Sequence, residues 1–414
     1  MPPRAGRRQP LTTEPRPGRS TILVRVFGPD GPGLTAGLMN VLSAGGCELY
    51  DVEQVVIRSR LSLNVLVSVP DNQSTVRDVL FYAWEHGLEA DFEPVTDTSG
   101  PTPNRFAVSV IGAQVTPQAF GAVAEAIASA GGNIDSIERL ARYPVVSYEL
   151  AVSGGDQKAM RAALLETSSG FGVDVAVQAE GIARRSKRLV VMDVDSTLIQ
   201  DEIIDLLAAE AGQAEEVATI TRQVMAGELD FGAALTARVA ALEGLPVTAL
   251  EAVAGRIQLT PGARTFVRTL KKMGMKIGIV SGGFTWFTDR LATDLGLDHA
   301  YANELEIKEG QLTGRIVGAP VDRARKAEIL TEIARREGIA LDQVVAIGDG
   351  ANDLDMLATA GLGIAFNAKP IVRDAAHSAV SVPYLDAILF VLGIRRDEVD
   401  SSESLPTVEG LPPV

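Results

Sequence analysis

The stretch LVVMDVDSTLIQDE, residues 189–202, constrains this chain more than any other. Four apolar residues, Leu189 to Met192, run without helical spacing straight into Asp193, with Asp195, Ser196 and Thr197 behind it. A short apolar run of this kind predicts a strand buried on both faces. In an open α/β sheet, chemistry gathers just beyond the carboxyl ends of the strands, which is where Asp193 and Asp195 fall. Two carboxylates so close repel unless a cation lies between them or one holds a proton. The bland alternative is an Asp-rich turn capping a helix near Leu198. DVDST alone is too short to separate the two.

The rest of the chain narrows the choice. Its 414 residues predict two to four domains. A net charge of −15 speaks against a nucleic-acid groove or an anionic membrane surface as the main partner. An acidic protein that binds phosphate must therefore concentrate its bases locally. The single cysteine, Cys47, permits no internal disulfide and reads as inert; His86, His299 and His377 are too far apart in sequence for a zinc site. No apolar run is long enough to cross a membrane. The first twenty residues hold five Arg and one Glu and lack the apolar centre of a secretion signal. Residues 1–20 are expected to be a disordered arm of a cytoplasmic protein.

Residues 21–96 open with the alternating strand TILVRVFG. A Gly/Pro turn, GPDGPGL, then leads into a helix with Leu34, Leu38 and Leu42 on one face. Two strands, a helix from about Ser74 and a short last strand give the order βαββαβ, a ferredoxin-like plan. Residues 105–180 repeat it: RFAVSVIG matches TILVRVFG, AGGNIDSIERL matches AGGCELYDVEQ, and VVSYELAVSG matches LSLNVLVSVP. SGPTPN, residues 99–104, is the linker. The pair resembles ACT domains, small regulatory modules that bind amino acids. The resemblance implies an effector site beside the first turn, at Asp30, Gly31, Gly33 and Leu34, where glycines let backbone N–H groups approach a carboxylate. The second copy has GAQVTPQ there and lacks those glycines.

Residues 186–394 carry the chemistry. After the first strand, residues of about 200–260 show helical spacing throughout, as in EIIDLLAAEAG and FGAALTARVAALEG, and read as a cap over the site. From Gly262 the βα pattern resumes. KIGIV ends at Ser281-Gly282-Gly283, LEIKEGQLTGRIVG reads as a hairpin turning at Glu309-Gly310, and a charged helix spans about 322–337. VVAIGDGAND is a further strand with acids at its carboxyl end, and the fold expected is α/β, a doubly wound parallel sheet. From Asp397 the tail holds five acids, three Pro and no base, so 397–414 is expected to be disordered.

Strand and helix ends thus supply Asp193, Asp195, Ser281, Gly282, Lys326, Asp349, Asn352 and Asp353. Phosphoryl transfer needs these types: a nucleophile, a cation, donors for the phosphoryl oxygens and a proton carrier. Oxygen ligands suit Mg²⁺, and Asp193, Asp349 and the backbone carbonyl of Asp195 can provide them. Ser281 and nearby N–H groups can bind phosphoryl oxygens, and Lys326 can neutralise phosphate as a point charge.

DVDST, SGG, the lysine and GDGAND, in this order, resemble the haloacid dehalogenase-like phosphatases. The resemblance implies that Asp193 attacks phosphorus and that Asp195 protonates the leaving alkoxide and then activates water. DSTLIQDE, MAGELDFGAALTARVAALEG, LTPGA, VSGGF, ANELEIKEGQLTG and AFNAKP are similar to phosphoserine phosphatases in particular. That likeness implies Glu202 for the substrate ammonium and Arg238 for its carboxylate. It implies Met225 and Phe231 as shields against water, Asn352 beside Lys326 or phosphate, and Asp353 orienting neighbouring groups.

The activity implied is Mg²⁺-dependent hydrolysis of O-phospho-L-serine through an aspartyl-phosphate, the last step of serine biosynthesis. An effector such as L-serine would bind the ACT-like pair of a homodimer. Two alternatives stand beside it. One is a phosphatase for another small phosphomonoester, which should lack the Glu202 and Arg238 pair. The other is an amino-acid-sensing protein with a degenerate phosphatase half, which should have lost Asp193, Asp195, Lys326 or Asp349.

Overall fold

Alternation in TILVRVFG becomes a strand with Val24 and Val26 buried and Arg25 and Phe27 on the open side. The structure, a computed structural model, describes residues 19–70, 74–95, 104–225 and 231–404. Two units separate by contact, Met1–Thr102 and Pro103–Val414. In the first, β1 (Arg19–Pro29), α1 (Leu34–Ala44), β2 (Glu48–Ile57), β3 (Arg60–Pro70), α2 (Ser74–Glu85) and β4 (Glu89–Pro94) follow the expected βαββαβ order. The sheet order is β2-β3-β1-β4. Leu38, Leu42 and Val79 of the helices pack on Val24, Val26, Leu63 and Val65 of the sheet. The opposite sheet face is open, and there Arg25 pairs with Asp91 and Glu93, each at 2.8 Å. Of the expected N-terminal arm, residues 1–18 lie outside the described residues. Arg19 already belongs to β1, and its guanidinium bonds Ser68 Oγ at 2.8 Å.

In the second unit, β5 (Arg105–Gly112), α3 (Pro117–Ser129), β6 (Gly132–Ala141), β7 (Val146–Gly154), α4 (Gln157–Phe171) and β8 (Asp174–Ala179) repeat the plan, with sheet order β6-β7-β5-β8. The turn that carries GPDGPGL in the first copy is here closed by Thr116, whose hydroxyl accepts from Ala119 N at 3.2 Å. This copy differs from the first in one decisive way. Every residue of β5 after Arg105 is buried, so both faces of its sheet are covered. Ile111, Leu140, Ala141, Val145 and Ala176 share one core with Ile388 and Leu389 of the following domain. Gln178 donates to the carbonyl of Val391 at 2.7 Å, Ser381 N donates to Asp174 at 2.6 Å, and buried Arg184 pairs with Glu149.

After the short helix α5 (Ile182–Arg185) comes β9 (Leu189–Met192), all four residues buried as the sequence predicts. The expected cap is α6 (Ile203–Glu210), α7 (Ala214–Met225), α8 (Phe231–Ala240) and α9 (Val247–Ala254). Then follow α10 (Ala263–Lys272), β10 (Lys276–Phe284), α11 (Thr285–Leu295), β11 (His299–Lys308), β12 (Gln311–Val317), α12 (Arg323–Arg336), β13 (Val344–Gly348), α13 (Leu354–Thr359), β14 (Leu362–Phe366), α14 (Pro370–Ala375), β15 (Ser378–Val380), α15 (Ile388–Val391) and α16 (Arg396–Ser404). The sheet order is β12-β11-β10-β9-β13-β14-β15. β9 pairs in parallel with β10 on one side and β13 on the other, so the winding reverses beside it and opens a crevice at its carboxyl end. Glu309 and Gly310, with φ of 54° and 77°, form the hairpin turn between β11 and β12. No described helix is long and apolar enough to cross a membrane.

The expected disorder from Asp397 is corrected in part. Residues 396–404 form α16, and Val399 is fully buried. Arg396 bonds Asp386 at 2.8 Å and Asp400 at 2.9 Å and lies over the ring of Tyr143. These partners are distant in sequence, so composition alone misses them. Residues 405–414 lie outside the described residues.

Candidate active site

β9 ends by donating Asp193 N to Ile347 O of β13 at 2.9 Å, which aims the next residues out of the sheet. The chain then folds into a tight turn in which Ser196 takes a left-handed φ of 56°. That conformation is costly for a residue with a side chain. It places Ser196 Oγ 2.8 Å from Glu202 Oε1, its acceptor. Asp193 Oδ1 accepts from Val194 N at 2.8 Å and faces Lys326 Nζ at 2.9 Å. Asp195 Oδ1 accepts from Ile203 N at 2.8 Å, the first residue of α6, and its Oδ2 accepts from Ser281 Oγ at 2.9 Å. Ser281 Oγ in turn accepts from Gly283 N at 2.7 Å. A Cβ on Gly283 would lie 2.9 Å from Ser281 Oγ and 3.0 Å from Asp195 Oδ2, so glycine is required there.

β13 delivers Asp349, whose Oδ1 accepts from Thr197 Oγ1 at 3.0 Å. Thr197 is itself fixed by Thr260, whose hydroxyl donates to the Thr197 carbonyl at 2.7 Å. Lys326, fully buried on α12, reaches Asp353 at 2.7 Å as well as Asp193. Asp353 Oδ2 accepts from Gly350 N at 3.0 Å. Asp353 thus spends both oxygens inside the protein and holds Lys326. Asn352, expected beside Lys326 or phosphate, lines the cavity. His377 accepts at Nδ1 from Gly363 N at 2.9 Å. Cys47 is half-buried, and burial pushes its thiol up, which suits an inert residue.

Charge crowding sets the electrostatics. Burial, then Asp353, raises the Asp193 carboxyl well above the usual range, and Lys326 only partly offsets them. Burial also raises Asp195, against the hydrogen bonds from Ile203 and Ser281. Burial and Asp353 push Asp349 up to about 6. Burial alone would lower Lys326, but Asp193 and Asp353 outweigh it and keep the ammonium charged. Oxygens of Asp193, Asp349 and Asp353 lie within 4.8 Å of one another. With Asp353 committed to Lys326 and Gly350, Asp193 and Asp349 remain as a hard-oxygen pair that a divalent cation would relieve.

These groups open into a cavity of about 560 Å³ roofed by the cap. Glu202 stands at its mouth, where enclosure and then the nearby Asp195 push its carboxyl up to about 7. Arg238 of α8 lines the wall as well. Burial lowers its pKa, and its Nε is buried with no partner. Among the described residues no carboxylate forms an ion pair with it.

Met225 closes α7 and Phe231 opens α8, but their side chains, with residues 226–230, lie outside the described part. Asp30, Gly31, Gly33 and Leu34 form the first unit's turn, where Gly33 takes a φ of 89° and Asp30 N donates to Ser59 O at 2.9 Å. Sequence reasoning missed Thr197 and Thr260, which brace Asp349. It also missed Asn303, whose amide donates to the carbonyls of Gly282 at 2.7 Å and Gly283 at 3.2 Å. Asp205, Thr221 and Lys369 were missed as cavity lining. Asn303 and Lys369 do stand in the quoted segments ANELEIKEGQLTG and AFNAKP, which is the signal that could have found them.

Paired aspartates at the reversal point of a parallel sheet, a buried lysine and a helical cap define a haloacid dehalogenase-like hydrolase, and that family's model matches residues 190–358. ACT domain models match residues 20–93 and 105–178. Phosphoserine phosphatase of Streptomyces coelicolor is 51% identical, over 93% of this chain and 95% of that one. Phosphoserine phosphatase SerB2 of Mycobacterium tuberculosis is 47% identical, over 94% and 97%. Among solved structures, a probable phosphoserine phosphatase from Vibrio cholerae, unliganded, is 35% identical with TM-score 0.56, covering 72% of this chain and 89% of that one. A hydrolase of the same superfamily from Salmonella enterica is 31% identical with TM-score 0.61, covering 69% and 98%. The chain belongs to the phosphoserine phosphatase family, phosphoric monoester hydrolases of the haloacid dehalogenase-like class, here with two N-terminal ACT domains.

Proposed function

We propose that this enzyme hydrolyses O-phospho-L-serine to L-serine and phosphate, as the closing step of serine biosynthesis in the cytoplasm. The observation that carries the substrate is Arg238, which lines the same cavity as Asp193, Asp195 and Asp349 and forms no ion pair among the described residues. A half-buried guanidinium held in no ion pair favours an anionic ligand. A guanidinium binds carboxylate through paired hydrogen bonds. Glu202, which lines the same cavity, suits the substrate ammonium.

Asp193 attacks phosphorus, forming an aspartyl-phosphate as the bond from phosphorus to the serine oxygen breaks. Asp195, its pKa raised by burial, gives its proton to that oxygen. It then takes a proton from the water that attacks the phosphoenzyme and frees Asp193. Lys326, Ser281 Oγ and the Gly282 N–H hold the phosphoryl oxygens. Asp193, Asp349 and the Asp195 carbonyl would hold Mg²⁺, which when bound neutralises phosphoryl charge. Homodimerisation, and an amino-acid effector such as L-serine beside the Gly33 turn, belong to the same reading.

Arg238→Ala tests the substrate. KM for phosphoserine is expected to rise by about 30-fold or more, the scale of an unpaired buried charge. Phosphoethanolamine, which lacks the carboxylate, should be turned over nearly as by wild type. Equal losses on both would sink the carboxylate clamp.

Glu202 gives a pH signature. Its carboxylate, the form that binds ammonium, is lost as pH falls through about 7. We therefore expect kcat/KM for phosphoserine to fall below that pH, and Glu202→Gln to be lower throughout with this limb removed. The substrate's own phosphate titration, near pH 6, stays in both profiles. A limb unchanged by the substitution assigns it elsewhere.

A further inference from the structure

The pairing of β10 with β11 shifts register beside the active site. Val280 pairs with Tyr301 and Phe284 with Asn303, so Ser281, Gly282 and Gly283 bulge between the two pairs. A bulge disrupts the ladder, and carbonyls turned into the protein then need another donor. Asn303 supplies it. Its side chain is buried, and Nδ2 donates to Gly282 O at 2.7 Å and to Gly283 O at 3.2 Å. Its Oδ1 accepts from Val321 N at 2.7 Å. Two carbonyls on one side and an N–H on the other admit only one orientation of the amide. Val321 adjoins Asp322, the N-cap of the helix that carries Lys326. The carbonyl and N–H of a trans peptide point opposite ways. Holding Gly282 O therefore turns Gly283 N away from Asn303 and toward Ser281 Oγ, which accepts from it at 2.7 Å. Ser281 Oγ in turn donates to Asp195 Oδ2 at 2.9 Å. One amide, one peptide and one hydroxyl thus link Asn303 to Asp195.

Resting on Asp195 as the proton donor of the proposed reaction, we propose that Asn303 is a positioning residue for that donor. It lies outside the cavity lining and takes no part in the bond changes at phosphorus. Asn303 fixes the peptide between Gly282 and Gly283, and that peptide pins Ser281 Oγ. Ser281 Oγ sets the direction of the Asp195 carboxyl, whose other oxygen Ile203 N holds at 2.8 Å. Without the amide the peptide can turn, and the proton of Asp195 is no longer aimed at the leaving oxygen. The cost is part of the roughly 10²- to 10⁴-fold that a general acid supplies.

The test compares phosphoserine, whose alkoxide must take a proton as it leaves, with acetyl phosphate, whose acetate leaves without one. We measure kcat/KM on both for wild type, Asn303→Leu, which has nearly the same shape and no polar atom, and Asn303→Asp, which keeps an acceptor and loses the donors. Asp195→Asn is the reference for a lost acid. Either Asn303 variant is expected to lose about 30- to 100-fold on phosphoserine and about threefold on acetyl phosphate. The ratio of the two values does not depend on how much of the enzyme is folded. A small folded fraction of either variant therefore suffices, and a purely structural role leaves the ratio unmoved. Phosphoethanolamine, also an alkyl ester, replaces phosphoserine if the latter is not cleaved, so failure of the substrate reading leaves Asn303 still tested. If Asp195→Asn lowers the ratio and both Asn303 variants keep it within about threefold of wild type, the proposal is overturned. An unchanged ratio in Asp195→Asn removes Asp195 as proton donor, and the role of Asn303 falls with it.

Discussion

Asp193→Asn is expected to lower phosphate release by at least about 10⁴-fold, the scale of losing a covalent nucleophile. The amide keeps the side-chain oxygen that accepts from Val194 N and loses only the nucleophilic charge. The fold should survive, because Asp193 is a strained member of its cluster. Its carboxyl is raised by burial and by Asp353, Asp349 and Asp195, while Lys326 alone opposes them and keeps Asp353 as partner. Melting in the absence of metal should therefore lie near or above that of wild type. Rapid quenching with labelled phosphoserine should leave acid-stable label on wild-type protein and none on the variant. Activity within tenfold of wild type would remove Asp193 from the nucleophile's role.

Lys326→Ala should damage both activity and stability. The ammonium is fully buried between Asp193 at 2.9 Å and Asp353 at 2.7 Å. Its removal leaves two buried carboxylates without a counter-charge, a loss of about 3–5 kcal/mol by the behaviour of broken buried pairs. That is a large part of the roughly 5–15 kcal/mol that holds a typical domain together. Melting of the second unit should fall by roughly 10 °C. The deficit should narrow as pH falls, because Asp193, whose folded pKa is already raised, then takes up a proton in the folded state. Bound Mg²⁺ should recover part of the stability. A variant that melts with wild type, at a pH where both carboxylates are ionised, would contradict the ion-pair assignment.

Much of the catalytic domain is legible in its sequence for a definite reason. A strand buried on both faces must be continuously apolar, and Leu189 to Met192 and Val344 to Ile347 are so. The acids that follow them can only fall at the sheet's carboxyl edge. Partnerships across that edge are harder to read. Lys326 and Asp353 are 27 residues apart, on different elements, and nothing local marks them as a pair. Arg238 shows no sign in its own helix beyond ordinary amphipathic spacing, and its place in the cavity depends on how the cap closes.

The two ACT copies show the same limit at domain scale. In the first, Arg25 and Phe27 mark an open outer face. In the second, the matching strand reads RFAVSVIG, and its small and apolar outer residues let the phosphatase domain pack directly against it. The repeat is visible in sequence, but its unequal use is not. Nor is α16, since its acidic composition suits a solvated tail until Asp386, Asp400 and Tyr143 are seen around Arg396.

The central claim is tested most directly by phosphate release from O-phospho-L-serine, with Mg²⁺ or with a chelator, for wild type beside Asp193→Asn. The account predicts release that needs the metal and vanishes with the substitution. Release from another phosphomonoester but not from phosphoserine would contradict the reading of Glu202 and Arg238, and release that persists in Asp193→Asn would contradict the mechanism itself.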